Sequence, residues 1–260
     1  MTLYVVPVPI GNLKDITLRA IEILQKVDFI ITEDTRYSIK LLNHLGIKKK
    51  CESYYRPKES LKVEKLVNRL LTRDAALITD SGTPLISDPG YILIRRAIEK
   101  GIHIVSLPGP TAFVPVLVAS GINPALFCFL GFPPRRNGHL ARFLKKVAEF
   151  ECALVFYESR RRLENFLRVA FSVFGNRRFC IGKEISKKNE KIIRAELKDL
   201  DRVLRSETLL GEMVVVIEGL RESKRPDRTP EINSLDDIFI YFKEKYGISK
   251  NTIKRAMMKK

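Results

Sequence analysis

The chain has 260 residues, 45% of them hydrophobic, with a mean hydropathy of −0.07, which fits a soluble globular protein of one large domain or two ordinary ones. Its 47 Lys and Arg against 30 Asp and Glu leave a formal charge of +17, a self-repelling surface suited to polyanions, with nucleic acid first and acidic headgroups or carboxylated ligands behind it. No apolar run approaches membrane-spanning length, and the 4 Cys and 3 His are dispersed with no C-x-x-C pair, the cysteines in or beside apolar runs, which argues for buried free thiols and no metal.

In chain order, Leu3–Val8 is a strand candidate running into Pro7-Val8-Pro9-Ile10-Gly11-Asn12. Broken by prolines and lacking a basic segment, this start is not expected to be a secretory signal, and a cytosolic protein is expected. Thr17–Val27 has helical apolar spacing, Phe29–Thr32 is a second strand ending in Glu33-Asp34-Thr35-Arg36, and Tyr37–Leu45 is a helix stopped by Gly46. A short strand over Cys51–Tyr54 and an amphipathic helix over Leu61–Leu71 follow. Ala75–Thr79 is a buried strand opening into Asp80-Ser81-Gly82-Thr83-Pro84-Leu85-Ile86-Ser87-Asp88-Pro89-Gly90. There Asp88 and Pro89 suit the N-cap and first turn of a helix over Tyr91–Lys100. Ile102–Leu107 is a strand leading through Pro108-Gly109-Pro110-Thr111-Ala112 into an apolar helix ending near Gly121. Such strand–loop–helix alternation predicts a mostly parallel sheet with helices on both faces over residues 1–121.

The second half has fewer helices between its strands, and predicts a mixed-sheet α/β domain over 122–220. Its strands are Ala125–Phe132, Cys152–Tyr157, Arg178–Glu184, Lys191–Glu196 and Glu212–Glu218. Helices are expected over His139–Phe150 and through Leu163, Phe166, Leu167, Ala170, Phe171 and Phe174. Pro133-Pro134-Arg135-Arg136-Asn137-Gly138 reads as a flexible basic loop. Over 221–260 a polar linker (221–233) precedes two short helices, 238–246 and 250–258, a basic appendage rather than a DNA-binding helix-turn-helix.

Several polar clusters sit at strand ends, where ligands of α/β sheets bind. Alone, Asp80-Ser81-Gly82-Thr83-Pro84 could equally be a solvent turn. Arg160-Arg161-Arg162 could be a solvated helix start, although cations there oppose the helix dipole and so point toward phosphate. Lys183-Glu184 could be an internal ion pair or part of a site. Neither a dinucleotide fingerprint nor a Walker A sequence is present.

Taken together, Pro7-x-Pro9-Ile10-Gly11-Asn12-Leu13-x-Asp15-Ile16-Thr17, Glu33-Asp34-Thr35-Arg36, Asp80 to Gly90, Leu107-Pro108-Gly109-Pro110, Phe156-Tyr157-Glu158-Ser159 and Gly211-Glu212-Met213-Val214 resemble the bacterial small-subunit ribosomal RNA methyltransferase I family. That family is a branch of the tetrapyrrole-methylase superfamily, and the resemblance spans residues 3 to about 219. It implies two α/β domains with S-adenosylmethionine (SAM) in the cleft between them, a homodimer, and the small ribosomal subunit as partner. The implied reaction is 2′-O-methylation of a cytidine in 16S rRNA, cytidine 1402 by family convention.

The resemblance places Asp80, Ser81, Gly82, Thr83, Pro84, Ile86, Ser87, Asp88, Thr111, Ala112, Tyr157 and Gly182 around the cofactor. Gly11, Asn12 and Arg36 would face the methyl group or the RNA, and Glu33, Asp34, Glu158, Lys183 and Glu184 are the candidates for proton or charge work, Glu158 first. Arg135, Arg136, Arg160, Arg161 and the C-terminal lysines would meet phosphates. Departures from the family pattern are Ser81 for alanine, the stretch Tyr54–Glu59, Arg161 for histidine, Lys183 for arginine, and a shorter tail. A tetrapyrrole methylase and a non-catalytic RNA-binding protein on the same scaffold are the competing readings.

Overall fold

Strand β1 (Thr2–Val5) lies between β4 (Ala75–Ile78) and β5 (His103–Ser106), and β4 pairs with β2 (Phe29–Thr32), which pairs with β3 (Cys51–Ser53). The structure, a computed structural model, describes residues 1–54, 59–206, 211–220, 239, 249 and 250. The expected linker and both C-terminal helices with their lysines fall almost wholly outside the described residues, as do residues 55–58. Met1–Gly219 forms one unit and Leu220–Lys260 another.

All pairings in the first sheet are parallel, in the order β3-β2-β4-β1-β5. Every residue of β2 and β4 is buried, because helices cover both faces. Strand alternation sends Ile30, Ala76 and Ile78 toward Ala20 and Leu24 of α1 (Leu18–Lys26) and Leu42 of α2 (Thr35–His44). Phe29, Ile31, Ala75 and Leu77 face α3 (Glu59–Leu70) and α4 (Tyr91–Glu99) on the other side. The strand order explains this division. Right-handed crossovers from β1 to β2 to β3 put α1 and α2 on one face, and the return through β4 to β5 puts α3 and α4 on the other. Strand β4 therefore stands between β2 and β1, whose chains depart to the opposite face, and a crevice opens at its carboxyl end.

The second sheet runs β6-β7-β10-β8-β9, from β6 (Phe127–Gly131), β7 (Ala153–Ser159), β8 (Arg178–Lys183), β9 (Lys191–Glu196) and β10 (Glu212–Ile217). Only β6–β7 is parallel, so the sheet is mixed, as its sparse helices predict. Helices α6 (Asn137–Val147) and α7 (Arg160–Phe174) cover one face through Leu140, Leu144, Leu163, Phe166 and Leu167. A short α8 (Leu200–Ser206), not expected from sequence, adds Leu200 and Val203. All cysteines are free, and Cys180 alone is fully buried.

The opposite face is covered by α5 (Phe113–Ala119), which follows the last strand of the first sheet. Val116 and Leu117 pack there against Val155, Cys180, Val214 and Val216. This crossing of one short helix to the second sheet joins the two sheets into one unit. It depends on Gly182, where an added Cβ would overlap the Val116 side chain. Gly182→Ala is expected to lower the free energy of unfolding by about 1–3 kcal/mol. Adding Val116→Ala should recover part of that loss in urea denaturation, whereas a Gly182→Ala variant as stable as the parent would show that α5 does not depend on this contact.

Candidate active site

The loop after β4 is held in shape by backbone rather than by helix capping. Gly82, Leu85, Ser87 and Gly90 all take positive φ, of 82°, 72°, 72° and 136°. Two of these are non-glycine residues in a conformation that side chains disfavour, the sort of strain that collects at functional sites. Val8 and Gly82 exchange backbone hydrogen bonds of 2.9 and 3.1 Å, so the loop is tied to the segment after β1. The Thr83 hydroxyl donates to the Pro110 carbonyl at 2.9 Å, tying it to the segment after β5. Helix α4 is capped at Gly90 without a side-chain bond, so Asp88 is not its N-cap. The Asp88 carboxylate instead accepts from the Thr79 hydroxyl at 3.0 Å, because the left-handed turn at Ser87 redirects it to the strand end.

This loop floors a cleft of about 410 Å³, within the range of small-ligand sites. From the first sheet the walls include Asp80, Ser81, Gly82, Thr83, Ile86, Ser87, Asp88, Thr111 and Ala112, with Glu33 from the end of β2. From the second sheet come Tyr157, Glu158, Gly182 and Glu184. These residues come from five separate stretches of sequence, and the fold brings them together. Pro84 is buried behind the loop, and Asp34, Lys183, Gly11, Asn12, Arg36, Arg135, Arg136, Arg160 and Arg161 lie off the cleft wall.

Sequence reasoning assigned no role to Ile10, Phe132, Ser159, Ile185, Lys187 or the start of β10, all of which line the cleft. Ser159 and Gly211 to Val214 stood inside quoted motifs and could have been taken from them. Lys187 gave no such signal, since only a folded β8–β9 loop turns it inward.

The charges around the cleft are ordered. The Asp34 backbone N–H donates to Asp80 Oδ1 at 3.2 Å, joining the ends of β2 and β4. Asp34 caps α2 and is gripped by the Arg36 guanidinium, with Nη2 2.6 Å from Oδ2, so its carboxyl is held below the usual range. Burial raises Asp80, against the Asp34 N–H. Glu158 is 1% exposed. Its Oε1 accepts from the Ser159 N–H at 2.7 Å, while Oε2 lies 3.2 Å from Arg162 Nη2 in an ion pair that lacks hydrogen-bond alignment. Burial raises this carboxyl too, with Ser159 and Arg162 acting against it. Tyr157 packs against Phe129 and Phe132, and burial, aided by Asp88, pushes its phenol up to about 12, so it stays neutral.

The expected flexible loop at Pro133–Gly138 is anchored instead. Arg162 Nη2 donates to the Pro133 and Pro134 carbonyls at 2.7 and 3.0 Å, and Asn137 already begins α6. Arg135 and Arg136 are exposed in this anchored segment, as are Arg160 and Arg161 in the first turn of α7.

Residues 2–201 match the family described as tetrapyrrole (corrin/porphyrin) methylases. Among curated proteins, the chain is 39% identical to the ribosomal RNA small subunit methyltransferase I of Halalkalibacterium halodurans, covering 87% of this chain and 78% of that one. It is 41% identical to the protein of the same name from Hydrogenobaculum sp., covering 84% and 95%. Among solved structures, diphthine synthase aligns with a TM-score of 0.65 at 13% identity, over 84% of this chain and 89% of that one. Uroporphyrin III C-methyl transferase from Thermus thermophilus gives 0.59 at 15%, over 84% and 97%. These two structures establish the likeness of fold.

Thr79 is 5% exposed, and its hydroxyl also lies 3.4 Å from Glu33 Oε2, so it links two carboxylates at the strand ends. Thr79→Val should cost about 1 kcal/mol of stability, with Thr79→Ser losing less, as read by urea denaturation.

Proposed function

Because the chain belongs to the tetrapyrrole (corrin/porphyrin) methylase family, and within it to the ribosomal RNA small subunit methyltransferase I group, we propose that it uses SAM to methylate a ribose 2′-hydroxyl in 16S rRNA, at cytidine 1402. The observation that carries this reading is the single cleft that collects the strand ends of both sheets.

The cleft fits SAM by the chemistry of its walls. Ile10, Ile86, Ala112, Ile185 and Val214 offer apolar surface for a purine, with Tyr157 and Phe132 as an aromatic side. Asp80, Ser81, Thr83 and Asp88 offer acceptors and hydroxyls for a ribose and an amino-acid end. Bound SAM supplies an activated sulfonium methyl, so the protein's main task is alignment, which in well-oriented reactions is worth about 7–11 kcal/mol. A ribose hydroxyl is a weak acid, and Glu158 is the group proposed to take its proton. Burial raises the basicity of this carboxylate, and Ser159 and Arg162 hold it in one orientation.

Arg135, Arg136, Arg160 and Arg161 form the proposed phosphate contacts, next to Phe132 and Ser159 of the cleft wall. Such a substrate implies a cytoplasmic protein. The proposed homodimer would bury the exposed apolar residues Val114 and Val118 of α5 with Leu126 and Phe127 at the start of edge strand β6. Sedimentation should then return twice the 29.8 kDa chain mass; a monomer at micromolar concentration would exclude this pairing.

The direct test incubates methyl-tritiated SAM with 30S subunits lacking the modification and maps the labelled nucleotide. Label on the ribose of cytidine 1402 is the expected result, and label on a base would overturn the reaction. In the same assay Glu158→Gln should lower single-turnover methylation by about 100-fold or more while SAM still binds by calorimetry. An unchanged rate would remove Glu158 from the proton step.

A further inference from the structure

Six carboxylates line the cleft, from Glu33, Asp80, Asp88, Glu158, Glu184 and Glu212, against one cation among the described residues, Lys187. Such a field suits a sulfonium donor and opposes negative charge on an acceptor oxygen. Lys187 lies in the β8–β9 loop, where a solvated lysine would be the ordinary finding. Its side chain is instead 33% exposed and turned to the cleft wall.

Several contacts fix that direction. The Lys187 stem lies against Gly11, where any Cβ would meet its Cγ. The neighbouring Ser186 hydroxyl contacts the Asp15 carboxylate of the same first-sheet segment. Glu184 and Ser186 both take left-handed backbone, with φ of 48° and 66°. The Ser186 N–H donates to Glu190 Oε2 at 2.6 Å, closing the loop on itself. At its head, the ammonium reaches Glu184 Oε1 at 3.2 Å and Glu212 Oε2 at 3.5 Å. An ammonium has three N–H groups, so one is left for a ligand in the cleft.

We propose that Lys187 is a catalytic residue of the methyl transfer, its ammonium donating a hydrogen bond to the acceptor oxygen as negative charge develops there. This rests on the O-methyltransferase reading above. In the transfer one oxygen–carbon bond forms and one sulfur–carbon bond breaks, with the bonding pair leaving on sulfur. The hydroxyl proton goes to the Glu158 carboxylate, and Lys187 keeps its own protons throughout. Burial works against the charged ammonium, and Glu184 and Glu212 outweigh it, holding Lys187 above the ordinary lysine range and cationic at neutral pH. A donor fixed before reaction costs no reorganisation when charge appears. Lys183, the cation selected from sequence, is off the cleft wall.

Lys187→Met keeps the stem over Gly11 and removes the ammonium. Single-turnover methylation of unmodified 30S subunits should fall by about 100-fold or more, with SAM affinity by calorimetry and 30S affinity by filter binding both within threefold of the parent. A rate within threefold of the parent, or a loss confined to either affinity, overturns the proposal. Should the Met variant fold poorly, Lys187→Cys alkylated with 2-bromoethylamine restores an ammonium at lysine length. The parent, with its own 4 cysteines, is treated in parallel. Recovery of rate on alkylation supports the assignment and absence of recovery refutes it. Failure of the parent protein to label 30S subunits would instead strike the O-methyltransferase reading itself.

Discussion

The packing of Val116 over Gly182 is the contact on which the rest of the architecture turns. Helix α5 belongs by sequence to the first sheet and by burial to the second. A side chain at 182 would hold it off that sheet. With α5 seated, residues 107–112 must run between the sheets, and Thr111 and Ala112 become part of the cleft. The same glycine therefore serves packing and site at once. Its backbone borders the cleft while the space of its missing side chain is filled from the opposite side by Val116.

Two features of sheet topology then make the crevice specific. In the first sheet, β4 has neighbours on both sides, β2 and β1, whose helices leave by the other face, so its loop has open space above it. The loop fills that space in a strained shape held by Val8, Pro110 and Thr79, not by the following helix. In the second sheet, β10 enters antiparallel between β7 and β8. That places Glu212 opposite Ser159 and Met213 opposite both Glu158 and Lys183, so one strand start and two strand ends face the same opening. The acid-rich wall follows from this convergence of separately encoded chain ends. Burial answers by raising Asp80, Glu158 and Tyr157, which leaves the ion pairs of Arg162 and Lys187 to balance the field locally.

Much of this was legible in the linear order of residues. Apolar runs at Phe29–Thr32 and Ala75–Ile78 are strands buried on both faces, and the helix expected over Thr17–Val27 is α1. Helix periodicity through Leu163, Phe166, Leu167 and Ala170 marked α7, and the motif loops marked most of the cleft wall. Asp88 departs from the cap position expected of an Asp before Pro because the left-handed turn at Ser87 sends it to the strand end. Pro133–Gly138 read as flexible because its anchor, Arg162, is 28 and 29 residues away. Helix α8 escaped notice because its one turn of apolar spacing is too short to stand out.

What the sequence by itself determined was the set of elements, their alternation, and the strand-end loops in which chemistry could sit. Period-2 and period-3.6 burial and short-range capping are local physics, readable a few residues at a time. What the tertiary structure alone decided was which of those loops meet, and which charges turn inward. Lys183 and Lys187 are four positions apart and equally basic on paper. Only the long-range contacts of Ser186 with Asp15, and of Lys187 with Gly11 and Glu212, put the second of them in the cleft, because pairing across the chain is set by the packed sheets and by no local rule.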